Sequence, residues 1–424
     1  LQTQPVFACD APSIMRSYLI HLSKDDKATD SFLEAAMRET ATREIAKHAR
    51  EVPAPLLSRR DFARMAALLT AGSALPFYNE AALAQDLRAI GSIPADVIRL
   101  HTNENPLGPC PAALEAIRRL LPRGGQYAFD QTTAFVEAMA ADVRLPTSHI
   151  MPTAGSSDPL HRAVLACTSP SRPLVLADPG YEAPARAAHF LGAKVISVRL
   201  RRDYAHDARA MAQADRAAGV IYICNPNNPT GSVTRREDVD YIVANKPRGC
   251  IVLVDEAYIH FSTSAASAIE HVAAGRDVIV LRSFSKLYGM AGLRAGAALA
   301  RPDLLERLRG YGGLGFLPMS GTAGATASLK ERTLVAQRRQ IVAEVRNDLA
   351  AWLDQRGFAY IPSEANMIMI DCRRPGREVY TAMLRHNIAI GRSWPSLPTH
   401  VRVTIGTRDE MARFKDAFAK VMGA

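Results

Sequence analysis

The sequence predicts an α/β protein: a three-layer domain on a mostly parallel sheet, joined to a smaller α+β unit. Three observations predict it. From about Gln85 onward, short β-branched runs alternate with helical patterns. Those runs are apolar at successive positions, so both faces of each strand need a cover, as in a parallel sheet flanked by helices. After Leu317 the alternation gives way to long helical stretches with scattered strands, which reads as a separate α+β unit.

Taken in order, the strands are expected at 174–176, 195–198, 220–224, 251–254, 278–281 and 295–300. Helices at 158–167, 182–191, 208–216 and 236–244 connect most of them, and Pro159 suits the first turn of its helix because its φ is already helical. In the second unit, 367–370 and 401–405 read as strands, 377–386 as a helix, and a closing helix starts at Arg408. The expected organisation is an N-terminal extension over 1–84, an arm and part of the small domain over 85–125, a large domain over 126–317 and a small domain over 318–424.

Composition narrows the function. With 424 residues, 48% hydrophobic and 22% charged, the chain is neither disordered nor collagen-like, and it buries enough core to need no disulfide framework. No run of eighteen apolar residues occurs, so no integral membrane helix organises it. The net charge is +10, yet the first 84 residues hold ten basic and ten acidic side chains, so the whole excess lies beyond them. It is spread without basic runs longer than pairs, and aromatics make up 6%. That pattern argues against nucleic-acid binding and is compatible with small anionic ligands. The six cysteines (Cys9, Cys110, Cys167, Cys224, Cys250 and Cys372) show no CxxC pair or metal-ligand spacing, so they read as structural and no metal is expected.

The extension carries an address. Arg59-Arg60, the moderately apolar stretch 63–75 and Ala82-Leu83-Ala84 follow one another in the order of a twin-arginine leader with an A-x-A cleavage site. This resembles a Tat export signal, which implies cleavage after Ala84 and periplasmic residence, with an uncleaved cytoplasmic protein as the alternative. Met15 or Met37 is expected as the first translated residue.

The chemistry gathers at expected strand ends, where open α/β sheets place their ligands. Asp255 and Glu256 follow the strand at 251–254, with Tyr258 just beyond; Lys286 stands behind Ser283 and Ser285 after the strand at 278–281. Taken singly, each is a weak signal and reads better as a solvated loop charge. Asn225-Pro226-Asn227-Asn228-Pro229-Thr230-Gly231 after the strand at 220–224 adds a rigid turn with side-chain amides at the same edge. Gly155-Ser156-Ser157 before a helix offers free N–H groups and a dipole to an anion.

These motifs, with Gly292-Leu293-Arg294-Ala295-Gly296, resemble the fold-type I pyridoxal-phosphate aminotransferases of class I/II. Within them, Asn103-Glu104-Asn105-Pro106-Leu107-Gly108 and Arg402-Val403-Thr404-Ile405-Gly406-Thr407 are most similar to the histidinol-phosphate aminotransferase branch. The resemblance runs from about Leu100 to the C-terminus. It implies pyridoxal 5′-phosphate as cofactor, a homodimer, and transfer of an amino group between an L-amino acid or amino alcohol phosphate and a 2-oxo acid. It also assigns the residues. Lys286 would hold the cofactor covalently and shuttle the proton; Asp255 would keep the pyridine nitrogen protonated; Asn228 and Tyr258 would bond the phenolic oxygen, and Tyr181 would stack on the ring. Gly155, Ser156, Ser157, Ser283, Ser285 and Arg294 would take the phosphate, helped by Tyr127 from the other subunit. Arg402 and Asn366 would bind the substrate α-carboxylate.

Two departures from the family pattern stand out. Arg392, near the arginine implied for a substrate phosphate, sits in Ile390-Gly391-Arg392-Ser393-Trp394-Pro395, so substrate selection and local packing are both open to it. Tyr127 sits in Gln126-Tyr127-Ala128-Phe129-Asp130, with an extra residue and a missing proline. Other chemistry on the same cofactor (decarboxylase, lyase or amino acid oxidase), a cofactor-binding sensor and a nucleic-acid binder are the competing functions.

Overall fold

Residues 96–312 and 317–423 are described in the structure, a computed structural model. The twin arginines, the apolar stretch behind them, the A-x-A site and Cys9 lie outside the described residues. In chain order the elements are β1 (Ile98–Leu100), α1 (Pro111–Leu120), α2 (Phe129–Val143), β2 (Ile150–Thr153), α3 (Ser157–Cys167), β3 (Leu174–Asp178), α4 (Ala183–Phe190), β4 (Val195–Arg199), α5 (Ala208–Gln213), β5 (Val220–Cys224) and α6 (Arg236–Asn245). There follow β6 (Ile251–Asp255), α7 (Ile269–Ala273), β7 (Val278–Ser283), β8 (Gly296–Leu299), α8 (Pro302–Arg309), α9 (Met319–Lys330), α10 (Leu334–Gln355), β9 (Tyr360–Ile361), β10 (Met367–Asp371), α11 (Gly376–Leu384), β11 (Ile388–Ile390), β12 (His400–Thr404) and α12 (Arg408–Met422).

Seven strands form one sheet in the order β2-β8-β7-β6-β5-β3-β4. Neighbours from β7 to β4 pair in parallel, and β8 runs antiparallel to both β7 and β2. The exception has a local cause. A parallel return needs a long crossover, usually a helix, and the segment 284–295 contains only a 3₁₀ turn. β2 escapes a sequence reading because Pro152 interrupts it, and a proline is tolerated there because β2 is an edge strand.

Both faces of the sheet are covered, as the continuous apolar runs require. Val220, Tyr222 and Cys224 of β5 join one core with Leu160 and Val164 of α3. Ile221 and Ile223 join the other with Phe135 of α2 and Ile242 of α6. Because β3, β5, β6 and β7 are parallel, their last residues, Asp178, Cys224, Asp255 and Ser283, open onto one edge.

The remaining strands bring further residues to that edge. β12, β10 and β9 form a small antiparallel sheet. β1 pairs in parallel with β11, Ile98 against Ile388 and Leu100 against Ile390. This pairing fixes where His101, Thr102 and Asn103 emerge. Thr407 caps α12 in a reciprocal box with Glu410, which stops β12 and starts the closing helix.

Candidate active site

Asp255 ends β6 with its carboxylate buried. Burial pushes its pKa up from 3.8 to about 6, against hydrogen bonds from the Tyr222 hydroxyl and the Ala257 N–H and the nearby charge of Lys286. Tyr222 donates to Oδ2 at 3.0 Å and Ala257 N to Oδ1 at 3.1 Å. A carboxyl poised near neutrality inside a cleft suits a role beside a cationic partner.

Lys286 lies in the loop after β7 and is 8% exposed, unusual for a lysine. Its Nζ donates to the Thr102 carbonyl at 3.0 Å and lies 5.8 Å from the centre of the Tyr258 ring. The Tyr258 hydroxyl accepts from Asn103 Nδ2 at 2.9 Å. Arg402, on β12, is fully buried; Nη1 donates to Asn228 Oδ1 at 2.8 Å and Nη2 to the His101 carbonyl at 2.7 Å. The two amide-bearing loops and the two cations are thus tied together through residues 101–103.

The opposite end is built for an anion. Ser157 opens α3 and Ser156 caps it, so the free N–H groups of its first turn face the cleft. Arg294 adds a guanidinium that donates to Ser285 Oγ at 3.2 Å, to the Ala291 carbonyl at 2.8 Å and to the Ala154 carbonyl at 2.9 Å. Its backbone sits in the left-handed region at φ +57°, where a non-glycine residue carries strain characteristic of functional loops. Gly155 is needed beside it: its φ is +86°, and a Cβ there would lie 2.2 Å from Arg294 Nη2.

Between these ends lies a cavity of about 230 Å³. Ser156, Ser157, Tyr181, Asn228, Asp255, Tyr258, Ser283, Ser285, Lys286 and Arg294 all line it. Gly155 packs on the Arg294 guanidinium, and Arg402 reaches the wall through Asn228. Asn366 stands further back, its Nδ2 donating to the Asn103 and Glu104 carbonyls at 3.1 and 3.3 Å while its buried Oδ1 has no hydrogen-bond partner. The donor set fits pyridoxal 5′-phosphate: an anion cradle, a buried carboxyl for a ring nitrogen, and a buried amine for an aldehyde. Thr102 is a lining residue, and its Oγ1 is likewise buried without a partner, so polar capacity beside the cavity is not used by protein contacts.

Residues 95–418 match the family described as aminotransferase class I and II. The chain belongs to that family. Histidinol-phosphate aminotransferases of Moorella thermoacetica and Symbiobacterium thermophilum are 32% and 33% identical to it, over 77% of this chain in each case and over 86% and 91% of their own lengths. The crystal structure of histidinol-phosphate aminotransferase from Sinorhizobium meliloti in complex with pyridoxal-5′-phosphate is similar at a TM-score of 0.74 and 25% identity, covering 82% of this chain and 95% of that one. The fold is accordingly that of the pyridoxal-phosphate transferases, and the protein is a pyridoxal-phosphate-dependent transaminase.

Two expected site residues lie apart from the cavity of this aminotransferase. Tyr127 is 72% exposed, its ring 6.0 Å from that of Phe129, and does not reach the cleft of its own chain. Arg392 is paired with Glu182 and lies over Trp394. Other residues emerge that sequence reasoning did not assign. Asn103 orients the Tyr258 hydroxyl and exchanges hydrogen bonds with Thr404, Asn103 N donating to Thr404 Oγ1 at 3.0 Å and Thr404 Oγ1 to Asn103 Oδ1 at 3.1 Å. Tyr222 holds Asp255. The signal for Tyr222 was available: a hydroxyl in the otherwise apolar run Val220-Ile221-Tyr222-Ile223-Cys224 needs a buried partner. Asn103 served only as a family marker, although its φ of +55° on a fully buried side chain is itself a mark of a special position.

Proposed function

We propose that this aminotransferase moves an amino group from a small amine bearing an anionic group, an L-amino acid or an amino alcohol phosphate, to a 2-oxo acid, with Lys286 as the residue that binds the cofactor. The observation that carries the reading is the convergence of Lys286, Asp255 and the anion cradle on one cavity. Pyridoxal phosphate, when bound, supplies an electron sink for the electrons left as the substrate Cα–H bond breaks.

The chain's own residues supply the rest. Ser156, Ser157, Ser283, Ser285 and Arg294 hold the cofactor phosphate, and Gly155 lets Arg294 approach. Asp255 keeps a proton on the ring nitrogen, and Tyr222 keeps Asp255 in place. Tyr258 and Asn228 donate toward the phenolic oxygen, and Tyr181 covers the ring. Lys286 Nζ, buried at the cavity wall, takes the proton from the substrate Cα. Arg402, whose planar fork is already held by Asn228 and His101, receives the substrate's carboxylate or phosphate, with Asn366 beside it.

We extend the proposal to assembly and address. Exposed Tyr127 and Phe129 support a homodimer in which Tyr127 serves the neighbouring cofactor phosphate. Arg59-Arg60 and the A-x-A site support Tat export to the periplasm, a route that carries folded, cofactor-loaded proteins; retention of an Arg59→Lys/Arg60→Lys variant inside the cell tests it. The reaction is tested by a half-reaction without acceptor. One equivalent per site of the donor's oxo product, a 2-oxo acid from an amino acid or an oxo alcohol phosphate from an amino alcohol phosphate, is expected, with the starting spectrum restored by added 2-oxo acid. Release of CO₂, ammonia or hydrogen peroxide would mark a different reaction.

A further inference from the structure

Arg392 and Arg402 approach the same indole. The Cζ of Arg392 lies 4.3 Å and that of Arg402 5.3 Å from the centre of the Trp394 ring. Trp394 is 2% exposed, and its Nε1 donates to the Gly180 carbonyl at 2.9 Å, which ties this pair of cations to the loop carrying Tyr181. Gly391 N also donates to the Arg402 carbonyl at 2.7 Å, so Arg392 is anchored beside the residue proposed to receive the substrate's anionic group.

The next residue on the Tyr181 loop is Glu182, the residue just before α4. Its Oε2 accepts from Arg392 Nη2 at 2.5 Å, and the side chains of Arg392 and Glu182 are 19% and 34% exposed. A carboxylate ligand has one negative charge and two oxygens, which a single bidentate guanidinium satisfies. A phosphate monoester is close to a dianion at neutral pH and draws on a second cation. The second cation at this end is held by a carboxylate of the chain itself. Seating a phosphate on Arg392 would break this half-buried ion pair and leave Glu182 facing a dianion, so both the lost pair and the new repulsion oppose it.

We infer that Glu182 is a specificity-determining residue: by holding Arg392 beside Arg402 and Trp394, it turns the donor subsite away from phosphate monoesters and toward amines that carry a carboxylate. The inference rests on the proposed transaminase reading and names the substrate class within it. No reacting bond involves Glu182; it acts through Arg392.

The test uses the full-length protein loaded with pyridoxal phosphate and two donors that share the imidazole and the amine, histidine and histidinol phosphate. Wild type is expected to prefer histidine in kcat/KM, and Glu182→Gln to shift that ratio toward histidinol phosphate by about tenfold or more, with the histidine value little changed. Glu182→Ala, a second variant, should shift it the same way. A wild-type preference for the phosphorylated donor, or a ratio that neither variant moves, overturns the inference. Dissociation constants for inorganic phosphate and acetate, followed by tryptophan fluorescence, provide a readout independent of turnover. Phosphate should bind about tenfold more tightly to Glu182→Gln than to wild type, while acetate changes little. If neither donor reacts and the anion affinities behave so, the transaminase reading falls and the charge assignment at Glu182 stands; equal phosphate affinities overturn the inference whatever the turnover.

Discussion

Asp255→Asn should change the pH dependence of stability in the cofactor-free protein. The folded protein holds the Asp255 proton up to a pKa of about 6, whereas the ordinary value is 3.8, because burial opposes the carboxylate more than its neighbours support it. Between those values the folded state binds a proton that the unfolded chain has lost, so stability is highest below the unfolded pKa and falls as pH rises through 6. A shift of this size corresponds to about 3 kcal/mol in full, and the part lost between about pH 5 and pH 8 is about 1.4 kcal/mol. Urea unfolding of wild type and Asp255→Asn at those two pH values isolates it as a difference of differences. The variant should lack the decline, and adding pyridoxal phosphate to wild type should flatten it, since a protonated ring nitrogen gives the carboxylate a counter-charge. Identical pH dependences for the two cofactor-free proteins would refute the reasoning.

Further outcomes follow from the same geometry. Arg402→Lys cannot reproduce the fork that reaches Asn228 and the His101 carbonyl together, and should lower kcat/KM for every donor by about a hundredfold, or ~2.7 kcal/mol; a loss under about threefold in steady-state assays would contradict it. Gly155→Ala puts a Cβ 2.2 Å from Arg294 Nη2 at a φ of +86°, and should weaken pyridoxal phosphate by about tenfold or more when the cofactor-free protein is titrated by absorbance. Tyr222→Phe removes the 3.0 Å donor to Asp255; the carboxylate pKa should rise further, moving the stability decline described above to higher pH, and an unmoved decline would show that the hydroxyl does not act on the carboxylate.

Much of this architecture was legible because burial on both faces leaves a plain imprint. The runs at 220–224, 251–254 and 278–281 became β5, β6 and β7, and the residues following them became the cavity wall. The antiparallel direction of β8 was not legible, since direction depends on the connection and not on the composition of the strand. β1 and β11 were missed because three-residue strands carry no period, yet their pairing places His101, Thr102 and Asn103 beside Arg402, Lys286 and Tyr258. Contacts between residues as distant as Asn103 and Thr404, or Glu182 and Arg392, arise only when the chain closes. The uncommon setting of Arg392 was visible in the sequence; its partner was not.

The assignment of Lys286 as the cofactor-binding amine is the centre of the account, and borohydride reduction of the loaded protein tests it most directly. Reduction fixes the cofactor to whichever amine holds it, and peptide mapping by mass spectrometry then locates the label. The account predicts a single labelled peptide carrying the modification on Lys286, with no visible cofactor band in Lys286→Ala. A label on any other lysine, or an unaltered cofactor band in that variant, would contradict it.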